Sequence, residues 1–64
     1  MKLDKKKIDI AMARRKINKT RLAENAGLLL TTVCSMYSRE NGKPENVGRL
    51  ANALGVDVTE ILED

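Results

Sequence analysis

Apolar side chains recur at helical spacing along almost the whole chain, and nowhere do they alternate as in a half-buried strand. From Lys5 to Arg15 the stripe is Ile8, Ala11 and Met12, with the stem of Arg15 next in line. Asn18 is a good N-cap, because its side-chain oxygen can accept from the free backbone N–H groups of a first turn. The helix it opens, Lys19–Ala26, has Leu22, Ala23 and Ala26 as its inner face and stops at Gly27. A third helix is predicted from about Leu30 to Tyr37, with Val33 and Met36 three apart on one face. Pro44 suits the first turn of a fourth helix, where the N–H it lacks would have no partner anyway. Val47, Leu50, Ala51 and Leu54 follow at i, i+3, i+4 and i+7, and Gly55 occupies the left-handed position after the helix end. Asp57 can cap a fifth, short helix that buries Val58, Ile61 and Leu62. The pattern predicts one all-α domain of five short helices over residues 1–64, without linker, repeat or low-complexity segment.

Length and composition narrow this further. Sixty-four residues lie near the lower limit at which a hydrophobic core alone holds a fold. With no Phe, no Trp and one Tyr, that core must be aliphatic and thin. No apolar run approaches the roughly 20 residues of a membrane span, and the lysine-rich start lacks the apolar segment of a signal peptide. A soluble, cytoplasmic protein is expected. Cys34 stands alone and there is no His, so neither an internal disulfide nor a zinc site is expected, and no cofactor is implied. Nothing resembles an acid–base pair or an activated nucleophile, which argues against an enzyme.

Charge changes the picture more. The formal net charge of +3 hides an asymmetry: residues 1–56 hold 12 bases against 5 acids, whereas residues 57–64 hold four acids and no base. Within "RRKINKTR", Arg14 to Arg21, five of eight residues are basic and none is acidic. Such a cluster is an electrostatic footprint for a polyanion, although a solvated helical face would carry the same residues. Beside it lies "GLLLTTVCSMYS", Gly27 to Ser38, which has no charged residue in a chain that is 33% charged.

The spacing of Leu22, Ala23, Gly27, Leu28, Val33 and Met36 joins these two segments. A methyl at Ala23 lets two helix backbones approach, Gly27 can take a positive φ in the turn, and the remaining apolar residues hold the third helix on the others. This is a helix-turn-helix spacing, in which the second helix of the pair enters a DNA major groove. An ordinary αα-corner would satisfy the same six positions.

The segments "KINKTRLAENAGLLLTTVCSMYS", "GKP" and "VGRLANALGVDVTEIL" resemble the Cro/C1-type, or XRE-type, helix-turn-helix family of phage repressors and bacterial regulators. The resemblance runs from about Lys5 to Leu62, with the helix-turn-helix unit at about 19–38. It implies a compact, five-helix, lambda-repressor-like domain that binds palindromic double-stranded DNA as a homodimer and regulates transcription. It implies base-reading roles for Leu30, Thr31, Thr32 and Ser35, with Cys34 a weaker candidate. Phosphate contacts are implied for Asn18 and Lys19 at the second helix, and for Ser38, Arg39, Asn41 and Lys43 in the loop after the third. The apolar residues Ile61 and Leu62 and the loop before the fourth helix are the expected dimer surface.

Three positions depart from the family pattern. Leu29 stands where a polar N-cap is common. Met12 and Tyr37 replace an Arg and a Glu that often pair, so an apolar packing contact is expected in place of an ion pair. Arg39 stands where a glycine usually follows the third helix, with Gly42 three residues later. A different class of function also fits the chain: a protein-interaction or antitoxin-type module, docking through the row Leu28, Leu29 and Leu30.

Overall fold

The computed structural model describes all 64 residues, within an envelope of 25 × 22 × 17 Å. Four α-helices follow in chain order: α1 (Lys5–Arg15), α2 (Lys19–Ala26), α3 (Leu30–Arg39) and α4 (Pro44–Leu54). Their ends are set by local chemistry. The Asp4 carboxylate accepts from the Lys7 N–H at 3.1 Å to open α1, and Asn18 Oδ1 accepts from the Arg21 N–H at 2.9 Å to open α2. Gly27 ends α2 at φ 69°, a left-handed conformation that costs glycine nothing, and Gly55 does the same for α4. No helix is long and apolar enough to cross a membrane.

Helix α2 packs against both α3 and α4 and is the centre of the bundle. It contributes Leu22, Ala23 and Ala26 to a core of 14 buried residues, every one of them apolar. Because no buried side-chain polar atom lacks a partner, burial in this core carries no unmet hydrogen-bond cost. Five alanines and aliphatic side chains fill it, as a chain without Phe or Trp requires.

The expected fifth helix is instead a single 3-10 turn, Val58–Glu60. Asp57 caps it in a reciprocal box, receiving hydrogen bonds from the Thr59 hydroxyl and backbone N–H while Glu60 Oε2 accepts from the Asp57 N–H at 3.0 Å. The Thr59 hydroxyl bond, followed by the Thr59 N–H, holds the Asp57 carboxyl below its usual range. Past the turn the chain leaves the helical path and joins the N-terminal segment: the Ile61 carbonyl accepts from the Asp4 N–H at 3.0 Å and Leu62 pairs with Leu3. Ile61 is 0% exposed and belongs to the core, so it is not the dimer surface expected from the sequence; Leu62 is half-buried.

A second correction concerns α3, which extends beyond Tyr37. Ser38 and Arg39, expected in a loop, form its last turn. With no glycine at hand, Glu40 takes the left-handed position at φ 54°, and its N–H closes on the Tyr37 carbonyl at 3.3 Å. The extended segment before α1 explains why Glu40 sits there. Leu3 N–H donates to the Glu40 carbonyl at 2.8 Å, Gly42 N–H donates to the Met1 carbonyl at 3.0 Å, and Glu63 N–H donates to the Lys2 carbonyl at 3.1 Å. Residues 1–4 thus form a strap between the loop after α3 and the final turn, with Leu3 buried at 0% exposure beneath it.

Glu40→Gly is expected to raise stability by roughly 0.5–1 kcal/mol, the left-handed penalty of a non-glycine residue less the extra freedom glycine gives the unfolded chain. Urea unfolding of the two proteins measures this; a loss of stability would mean that the Glu40 side chain supports the loop.

Candidate nucleic-acid interface

Helix α3 has two faces of opposite character. Val33 and Met36 are buried, which fixes the helix on α2 and the core. Turned from them are Thr31, exposed, and Thr32 and Ser35, both half-buried. Leu29 is the N-cap residue and provides no capping hydrogen bond, so the first-turn N–H groups of α3 have no side-chain acceptor. Lys43, before α4, likewise provides none, whereas Asp4 and Asn18 cap the other two helices.

Thr31, Thr32 and Ser35 open onto an open groove of about 700 Å³. Its far wall is Asn41, Gly42 and Lys43, then Pro44 and Asn46 in the first turn of α4, with Arg39 at one end and Met1 beside the loop. Eleven residues line it, only two of them hydrophobic, and no acid is among them. Hydroxyls, amides and the side-chain cations of Arg39 and Lys43 therefore face a space that a polyanion could enter. The Met1 ammonium donates to the Gly42 carbonyl at 2.7 Å and to Asn41 Oδ1 at 3.2 Å, which pins the loop and leaves the Asn41 amide nitrogen as its free donor.

Six of the sequence-derived candidates thus share one groove: Thr31, Thr32, Ser35, Arg39, Asn41 and Lys43. Four do not line it. Leu30 opens α3 at 43% exposure, Ser38 is exposed on the last turn, and Asn18 and Lys19 begin α2. Cys34 is half-buried and also lies off the groove. The three salt bridges, Lys7–Asp64, Arg14–Glu60 and Arg49–Glu45, leave Lys19, Arg21, Arg39 and Lys43 without an acidic partner. The acids in those bridges, Glu45, Glu60 and Asp64, pair with bases outside the groove.

Tyr37 makes a contact that sequence reasoning missed. Its hydroxyl donates to Asp9 Oδ1 on α1 at 2.7 Å, and the Lys19 ammonium lies 3.9 Å from its ring centroid, with that of Lys5 at 5.6 Å. The hydrogen bond to Asp9, then partial burial, then the charges of Asp9 and Glu40 raise the phenol above its ordinary value. A polar tie from Tyr37 to α1 therefore adds to the packing of Tyr37 and Met12 against the core. Asn46 was also missed; a polar residue two places after Pro44 was its only sequence signal.

A family model for the Cro/C1-type HTH DNA-binding domain matches residues 7–64, and the chain belongs to that family. No curated protein matches it. Two solved structures do: native PhpD with cadmium atoms, and PhpD with cadmium complexed with hydroethylphosphonate. Each is 28% identical at a TM-score of 0.83, over 100% of this chain and 14% of that one. The chain therefore spans about a seventh of the length of either. In this chain no three His, Cys, Asp or Glu side chains come together as a metal site would need.

Since Tyr37 is the only Tyr and there is no Trp, absorbance titration reads it alone. The native protein should titrate above the ordinary phenol value of about 10, and Asp9→Asn should bring the midpoint down. Raised pKa and stability are linked: the Tyr37 contribution is present below the unfolded value and is lost as pH climbs through the native one. A native midpoint at the ordinary value would show that the Asp9 bond does not form in solution.

Proposed function

We propose that this Cro/C1-type domain reads specific double-stranded DNA sequences and acts as a transcriptional repressor of the phage or mobile-element kind. The observation that supports this most is the acid-free groove, where the hydroxyl-bearing face of α3 meets Arg39 and Lys43. On this reading α3 lies in the major groove. Threonine and serine hydroxyls can donate or accept, so Thr31, Thr32 and Ser35 suit base edges, and Leu30 suits a thymine methyl. Arg39, Lys43 and Asn41 engage phosphates on one side, Asn18 and Lys19 on the other, and Ser38 extends the first set; such contacts fix register without carrying sequence information. A module this small reaches few bases, so two copies bind a palindrome with half-sites about 10–10.5 bp apart, and occupancy excludes other proteins from the site.

Sites selected from a random duplex library supply the test. Thr31→Ala and Ser35→Ala should each weaken binding to the selected site by about 1–3 kcal/mol and leave affinity for scrambled duplex nearly unchanged. Arg39→Ala and Lys43→Ala should weaken both alike and lower the salt slope by about 0.9 for each phosphate released. Val33→Ala should act on the fold instead, costing about 1–3 kcal/mol of stability. Unchanged sequence preference in both α3 variants would remove the base-reading assignment.

One observation favours a second reading, a protein-interaction or antitoxin-type module. Leu29 is 73% and Leu30 43% exposed, side by side at the start of α3. In a DNA reader Leu30→Ala relaxes preference at a thymine-containing step; in a docking module it leaves every DNA measurement unchanged.

A further inference from the structure

We propose that Tyr37 is a positioning residue for DNA binding: its ring holds the Lys19 ammonium in place for a backbone phosphate without neutralising it. The inference rests on the DNA-binding reading above and adds a residue that makes no DNA contact of its own.

The geometry supplies each step. The ring is anchored twice, by the backbone of α3 and by the 2.7 Å hydrogen bond from its hydroxyl to Asp9 on α1. It therefore presents a fixed π face across the junction of three helices. Lys19 is the first residue of α2, and its ammonium sits 3.9 Å from the centre of that face, well inside the roughly 6 Å range of cation–π attraction. Lys19 takes part in no salt bridge.

The choice of partner matters. A lysine side chain is long and flexible, so a fixed ammonium requires something to hold it. A carboxylate would hold it and also cancel the field that attracts phosphate. The ring quadrupole orients the cation and leaves its net charge intact, with the N–H groups turned from the ring free to donate. Two acids lie near the ring, Asp9 and Glu40; Asp9 accepts from the tyrosine hydroxyl, and neither forms a salt bridge with Lys19. Lys5, at 5.6 Å from the same ring, adds a second positive charge and repels Lys19 mildly, so the ring must offset that repulsion as well.

The test uses the full chain and a mixed-sequence duplex, comparing Lys19→Ala, Tyr37→Leu, Tyr37→Phe and the Lys19→Ala/Tyr37→Leu double variant. Tyr37→Leu should lower affinity about two- to five-fold, the range expected of one exposed cation–π contact, and should reduce the salt slope toward that of Lys19→Ala. In the Lys19→Ala background Tyr37→Leu should change neither. Tyr37→Phe keeps the face but gives up the Asp9 anchor, so its affinity should fall between those of the parent and Tyr37→Leu. In the free protein, Lys19 side-chain protons should be shifted upfield by the ring in the parent and in Tyr37→Phe, and return to ordinary values in Tyr37→Leu. A purely structural Tyr37 would lower thermal stability and leave the salt slope alone. Equal losses from Tyr37→Leu with and without Lys19, or ordinary Lys19 shifts in the parent, overturn the inference while DNA binding stands. A parent chain with no affinity for duplex overturns the DNA reading and this inference together.

Discussion

Everything in this domain depends on packing helices closely around α2 without an aromatic core. Fourteen apolar residues are buried, and five of them are alanines: Ala11, Ala23, Ala26, Ala51 and Ala53. Small side chains at the crossings bring backbones together, and Leu22, Val33, Leu50 and Leu54 fill the space that remains. Such a core tolerates little loss, because each aliphatic group is a large share of a small total. It also fixes which face of α3 points outward. Burying Val33 and Met36 leaves Thr31, Thr32 and Ser35 along the groove, so the outward face of α3 follows from the core rather than from its own contacts.

The groove is organised from outside the helix-turn-helix unit. Residues 1–4 bind the loop after α3 on one side and the last turn on the other, holding Asn41, Gly42 and Lys43 opposite α3. An ideal Cβ at Gly42 would lie 2.6 Å from Met36 Cε and 3.1 Å from Val47 Cγ2, so the loop runs as close to the core as a backbone without a side chain allows. The loop wall of the groove is thus held by packing at Gly42 and by the strap. The salt bridges do little for this arrangement, being exposed pairs of small net worth.

Features encoded by neighbours in sequence were legible before the structure. Asn18, Gly27, Pro44, Gly55 and Asp57 each act within a few residues of their own position, and each occupies the cap or first-turn place expected of it. What escaped depends on partners far along the chain. Leu3 is a single apolar residue among lysines and has no periodicity to reveal it; it is buried because residues 40 and 61–63 flank it. The same strap takes up the Ile61 carbonyl directly after the 3-10 turn. Ser38 and Arg39 joined α3 because Glu40 accepted a conformation usually left to glycine. Of the candidate site, the residues of α3 and the basic loop came from the family pattern. The tie among Tyr37, Asp9 and Lys19 could not, since it spans three helices.

On the proposed reading, the groove between α3 and the start of α4 receives duplex DNA. Titrating the isotopically labelled chain with duplex, while following backbone amide shifts, tests it most directly. Changes should concentrate at Thr31, Thr32, Ser35, Arg39, Lys43 and Asn46, with Ile10 and Val56 unmoved and the changes reversed by added salt. Changes confined to Leu29 and Leu30, or to the surface around Ile10 and Val56, would contradict it.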